Sequence, residues 1–153
     1  MATSSEHLLF NKDNCDIPSG DLSVVSLKMH GFNHGFSTIR ELTLSQSSDI
    51  FLIQEQWLTP DNVLQFDKYC PDYSHFRSSA MLNSVTSGVL RGRPFGDTPI
   101  IYSKNLQSLI TTITCSELFN IIRVSNILLI NVYLPCSGTV DRLSALSAIL
   151  ADI

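Results

Sequence analysis

Between Asp49 and Pro60 the chain reads Asp-Ile-Phe-Leu-Ile-Gln-Glu-Gln-Trp-Leu-Thr-Pro. The apolar residues Ile50 to Ile53, bounded by polar ones, predict a strand buried on both faces, as in a sheet covered by helices. Upstream, Asp21 to Leu27 is a second strand candidate. Phe36, Ile39, Leu42 and Leu44 carry the spacing of an amphipathic helix of about ten residues. Strand, helix, strand with short joints predicts a parallel pair with a right-handed crossover. Lys28 and Glu55 then lie side by side on one edge of the sheet. Side chains at the carboxyl ends of such strands point into a crevice, which makes Glu55 a candidate metal ligand or general base. The plainer alternative is a surface carboxylate that closes a strand.

The 153 residues suit one domain with a real core. Only 16% are charged while 44% are hydrophobic, against about 25% charged in a typical soluble domain. This sparsity predicts an apolar face meant for something the chain does not contain. A formal charge of −4 gives no general attraction for nucleic acid, so any such binding requires a local basic patch or bound cations. Cys15, Cys70, Cys115 and Cys136 form no C-x-x-C pair, so neither a zinc knuckle nor a redox motif is visible. The N-terminus carries Glu6, Asp13 and Asp16 and does not read as a secretory signal. The longest apolar run, Ile127 to Leu134, is interrupted by Asn131 and falls far short of the roughly 18 residues a bilayer span needs. The expected setting is intracellular, the nucleus included, without a membrane.

Residues 1–20 are polar, end in Pro-Ser-Gly and read as a flexible lead-in to a domain over 21–153. Lys28 to Gly35 reads as a loop punctuated by two glycines; His30 and His34 within it read as surface residues rather than a zinc pair. Thr59-Pro60-Asp61 is a helix opening, with a Thr cap and Pro at the first helical position, for a helix reaching about Tyr69. Tyr73 to Ala80 is a strand candidate, and Ser84 to Asp97 is a loop containing Arg91 and Arg93. Four segments rich in Ile, Val, Thr and Tyr follow, at 99–103, 106–114, 118–124 and 127–134, and their spacing predicts an antiparallel meander. Val140 to Leu150 has helical spacing.

Four stretches in order carry a resemblance: Met29-His-Gly-Phe-Asn-His-Gly35, Ile53-Gln-Glu-Gln-Trp-Leu-Thr-Pro60, Ser87-Gly-Val-Leu-Arg-Gly-Arg-Pro-Phe-Gly96, and Asn131-Val-Tyr-Leu-Pro-Cys136. Together they resemble the endonuclease/exonuclease/phosphatase superfamily, specifically the apurinic-endonuclease-like domain that opens non-LTR retrotransposon polyproteins. The resemblance implies an α/β fold, a four-layer α/β/β/α sandwich, here truncated, and a magnesium-dependent phosphodiesterase acting on DNA. It implies that Glu55 is a metal ligand, that Tyr133 is a catalytic residue near the scissile phosphate, and that Arg91 and Arg93 touch the DNA backbone. The plain readings are a core-packed Tyr133 and solvated loop arginines.

The chain departs from the family pattern in three places. Lys28 stands where the family has a metal-holding asparagine, and an ammonium about 5 Å from a divalent ion costs roughly 6 kcal/mol at an effective dielectric near 20. Cys136 stands where asparagine is frequent and reads as a packed or exposed thiol. The chain also stops before the family's Asp-x-Asn and Ser-Asp-His segments, so it is expected to be the N-terminal portion of the domain. Two functions follow: a fragment of a metal-dependent DNA endonuclease, inactive as this chain, or a catalytically dead remnant that at most binds. The missing half predicts self-association through an uncovered apolar sheet face.

Overall fold

The computed structural model of the chain describes residues 5–10, 21–45, 48–58, 62, 64–76, 98–116, 118–134 and 142–152, the first of these as backbone only. Its elements are β1 (Ser5–Phe10), β2 (Leu22–Lys28), α1 (Phe32–Leu44), β3 (Ile50–Gln54), α2 (Gln65–Tyr69), β4 (Tyr73–Phe76) and β5 (Ile100–Ser103). A 3-10 helix (Lys104–Leu109), β6 (Ile110–Cys115), β7 (Phe119–Val124), β8 (Ile127–Val132) and α3 (Arg142–Asp152) complete them. The architecture is mixed α and β: a five-stranded sheet in the order β1-β2-β3-β5-β4 and a three-stranded sheet in the order β6-β7-β8.

The strand–helix–strand unit forms as its periodicities demand. β2 and β3 pair in parallel from Val24 opposite Ile50 to Lys28 opposite Gln54, while the other strand pairs are antiparallel. Alternation along the strands separates two cores. Val25, Leu27, Phe51, Ile53 and Ile101 face the helical side, where they pack with Met29, Phe32, Ile39 and Phe66. Leu22, Val24, Ile50, Leu52, Ile100 and Tyr102 face the second sheet and pack with Leu106, Ile122, Val124 and Leu129. The helices α1 and α2, the first sheet and the second sheet therefore stack as successive layers, each strand of the β2–β3 pair buried on both faces.

Several expectations are corrected. Residues 5–10 belong to a strand, β1, antiparallel to β2, so that part of the flexible lead-in is paired backbone. α1 is 13 residues long and starts at Phe32, which places Asn33, His34 and Gly35 in helix rather than loop. Glycine is required at position 35: an added Cβ would lie 2.9 Å from the Met29 Cα, so the bare backbone lets the helix cross the end of β2 closely. The segment 106–114 is divided between a 3-10 helix and β6. β5 does not join the meander. It inserts between β3 and β4 in the first sheet, leaving β6 to β8 as the meander. The Thr59-Pro60-Asp61 opening and the loop at 84–97 lie outside the described residues, and the helix that follows the opening is short, Gln65–Tyr69.

Candidate functional site

The site forms at the carboxyl edge of the parallel pair. Regular pairing ends at Lys28 opposite Gln54; the Met29 N–H still donates to the Gln54 carbonyl at 2.9 Å and the Gly31 N–H to the Glu55 carbonyl at 2.7 Å. Beyond that point the backbone turns left-handed on both segments, at His30 (φ 53°), Gly31 (φ 101°), Glu55 (φ 56°) and Trp57 (φ 58°). Among the described residues the one other non-glycine with positive φ is Ser125, in the β7–β8 turn. Such conformations cost of order 1 kcal/mol or more each and persist where surrounding contacts over-determine them. One such contact is visible. A Cβ on Gly31 would lie 2.8 Å from the Trp57 ring, so the absent side chain admits the indole.

The left-handed turn re-aims Glu55. A strand continued past Gln54 would send the next side chain toward the helical face, opposite to Lys28. Instead the Glu55 carboxylate meets both neighbours: Oε1 lies 3.0 Å from Lys28 Nζ and Oε2 3.0 Å from His30 Nδ1. Its side chain is 9% exposed, against 40% for Lys28 and 31% for His30. A carboxylate withdrawn this far from water needs compensating charge or donors, and here each oxygen has one.

On the face toward the second sheet, a cleft of about 400 Å³ is lined by Ser26, Lys28, Gln54, Asn131 and Tyr133, with Leu52, Ile130, Val132 and Leu134 as its apolar walls. Tyr133 stands just past β8, its N–H donating to the Leu118 carbonyl at 2.7 Å. The structure thus brings Tyr133 and Lys28 to one cleft and links Glu55 to it through the Lys28 ammonium. Arg91 and Arg93, like Cys136, lie outside the described residues.

Asn131, 1% exposed, joins the two sheets at this edge. Its Nδ2 donates to the carbonyls of Ile53 (2.8 Å) and Pro99 (3.0 Å), and its Oδ1 accepts from Gln54 Nε2 (2.6 Å). The reason lies in the ladder. With Leu52 opposite Ile100, Ile53 faces Pro99, and the Ile53 N–H donates to the Pro99 carbonyl at 3.0 Å. An antiparallel pair of this kind returns a second bond from the facing N–H, which proline lacks. The Asn131 amide supplies the missing donor from the other sheet.

From the sequence His30 reads as a loop residue, and Asn131 as a break in an apolar run and the first residue of the Tyr-Leu-Pro stretch, with no structural role of its own. A signal for Asn131 was present: an amide at an inward position of a strand must be hydrogen-bonded. No comparable signal marks His30, whose partner, Glu55, lies just past β3.

The residues around Glu55 do not fit the magnesium ion that the resemblance implies. Both oxygens of its carboxylate are engaged by nitrogen, one of them a fixed cation. Among the described residues, no group of three or more His, Cys, Asp or Glu side chains is placed to hold a metal. Magnesium requires a near-octahedral oxygen shell. What the arrangement can do is bind: the Lys28 ammonium and the residues around the cleft suit an anionic oxygen. Among the described residues no helix is long and apolar enough to cross a membrane. Comparison with protein-family models and with curated proteins finds no match for this chain.

Proposed function

We propose that this chain is the N-terminal portion of an endonuclease/exonuclease/phosphatase-type domain, of the kind that opens non-LTR retrotransposon polyproteins, and that it contacts DNA without cutting it. The fold would be a truncated four-layer α/β/β/α sandwich, of which the helical layer and two face-to-face sheets are described. The observation that carries the reading is Glu55 at the carboxyl edge of a parallel β2–β3 pair, next to a cleft that holds Tyr133. That is where the family resemblance puts its phosphodiester chemistry. Against cleavage stands the engagement of both Glu55 oxygens by Lys28 and His30. Arg91 and Arg93 are the DNA-backbone contacts in this reading. Self-association through an apolar sheet face belongs to it as well, supported by exposed Ile113 and Leu128 on the second sheet.

The test is fluorescence anisotropy of a labelled duplex at low salt, run beside a plasmid-nicking assay with magnesium. The expected result is weak, salt-sensitive binding without nicking. Replacing both arginines by alanine should flatten the salt dependence by about two units of slope, one per lost phosphate contact. Absence of duplex binding at low salt removes the nucleic-acid reading. Magnesium-dependent nicking that disappears in Glu55→Gln removes the statement that the chain does not cut.

A further inference from the structure

We infer that Lys28 is the resident cation of the Glu55 site: its ammonium replaces a divalent ion at the edge of the parallel pair and leaves this edge indifferent to magnesium. The statement that an ion is replaced rests on the reading above; the pairing of Lys28 with Glu55 does not.

Four observations converge on it. First, the strand register puts Lys28 opposite Gln54, so the lysine is anchored one residue away from the carboxylate it meets. Second, the left-handed backbone at Glu55 (φ 56°) turns the carboxylate out of the strand alternation and onto the Lys28 side. An ordinary extended residue would not reach. Third, the two carboxylate oxygens are divided between two nitrogens, Lys28 Nζ and His30 Nδ1, each at 3.0 Å. Fourth, the Glu55 side chain is largely withdrawn from water whereas the Lys28 side chain is partly exposed. The negative charge is thus compensated by a group that stays partly hydrated, and little desolvation of the cation opposes the pair.

A cation carried on the chain needs no binding equilibrium. Its local concentration is set by a lysine side chain rather than by the medium, as for any tethered ligand. A divalent ion from solution must compete with Lys28 and His30 for the carboxylate and then sit beside the ammonium, whose charge repels it. The edge should therefore be fully assembled in the absence of any metal.

The experiment is urea unfolding of the full chain at constant ionic strength, followed by the fluorescence of Trp57, the single tryptophan, with and without millimolar MgCl2 or MnCl2. The unaltered chain should show the same midpoint in all three media. Lys28→Asn should unfold at lower urea without metal and recover part of the loss with either ion, and the recovery should vanish in Lys28→Asn/Glu55→Gln. The inference is overturned if the midpoint of the unaltered chain rises with magnesium and Glu55→Gln abolishes that rise. It is equally overturned if Lys28→Asn folds and neither ion moves it. Should Lys28→Asn fail to fold, the unaltered chain still answers through NMR line widths on titration with Mn2+. Unchanged His30 ring and Trp57 indole signals support the inference, and their selective broadening overturns it. Loss of duplex binding combined with the expected metal behaviour would remove the nucleic-acid reading while Lys28 keeps its role.

Discussion

Asn131→Ala should be among the most costly single substitutions in the chain, and Pro99→Ala should partly repair it. Asn131 supplies the donor that Pro99 cannot give to the Ile53 carbonyl, across 2.8 Å, and a second bond to the Pro99 carbonyl, across 3.0 Å. The Pro99 carbonyl keeps the Ile53 N–H, and Gln54 Nε2 keeps the Leu52 carbonyl at 3.0 Å, so those two partners stay satisfied. The Ile53 carbonyl loses its Asn131 donor within a core where Ile53 is fully buried. One uncompensated buried acceptor plus two modest lost bonds comes to about 3 kcal/mol. For a urea dependence of about 2 kcal/mol per molar, the midpoint should fall by about 1.5 M. In the double variant Asn131→Ala/Pro99→Ala, the restored backbone N–H can donate to Ile53, so the two changes should couple favourably by about 1 kcal/mol rather than add. Asn120→Ala is the control. Asn120 sits beside Asn131 on the neighbouring strand and donates to the Thr98 carbonyl and hydroxyl. Its own Oδ1 has no partner, so removing it also removes an unsatisfied acceptor and should cost less. Strict additivity of Asn131→Ala and Pro99→Ala, or a loss for Asn131→Ala no greater than for Asn120→Ala, would refute the argument.

Two further outcomes are expected. Gly35→Ala should destabilise by about 1 kcal/mol or more even though alanine is the better helix former by about that amount, because the new methyl meets the Met29 backbone at 2.9 Å; a higher unfolding midpoint for this variant would mean the crossing of α1 over β2 is looser than described. Burial, followed by the nearby Asp49, Cys70 and Asp72, pushes the Tyr73 phenol up to about 12. Above its ordinary value near 10 the unfolded chain loses this proton first, so the stability that Tyr73 contributes is intact below pH 10 and lost as pH rises toward 12. Tyr73→Phe should therefore lose less stability than the unaltered chain between neutral and strongly alkaline urea titrations, and equal losses would count against the burial argument.

The β2–α1–β3 unit was legible because its two periods are unlike: alternation or an all-apolar run for strands, three-to-four spacing for the helix. The boundaries of α1 were less so. The two glycines suggested a loop, yet Gly35 is helical because Met29 needs the space its missing side chain leaves. The residues of β5 read as a strand, but its neighbours, β3 and β4, are not those the spacing predicts. Short spacing argued for a meander, whereas Ile100, Ile101 and Tyr102 are all buried, the mark of a strand enclosed within a sheet. Exposed Thr111, Thr112 and Ile113 in β6 are the mark of an edge.

By itself the sequence determined the parallel pair and the placing of Lys28 and Glu55 on one edge, because strand and helix periods are local patterns that a few residues suffice to carry. The tertiary structure alone decided that Glu55 would turn left-handed onto Lys28 and His30, that Pro99 would stand opposite Ile53, and that Asn131 would answer for the missing N–H from another sheet. Those contacts join residues up to 78 positions apart. Which distant groups a buried donor or charge must satisfy is settled only when the layers close over it.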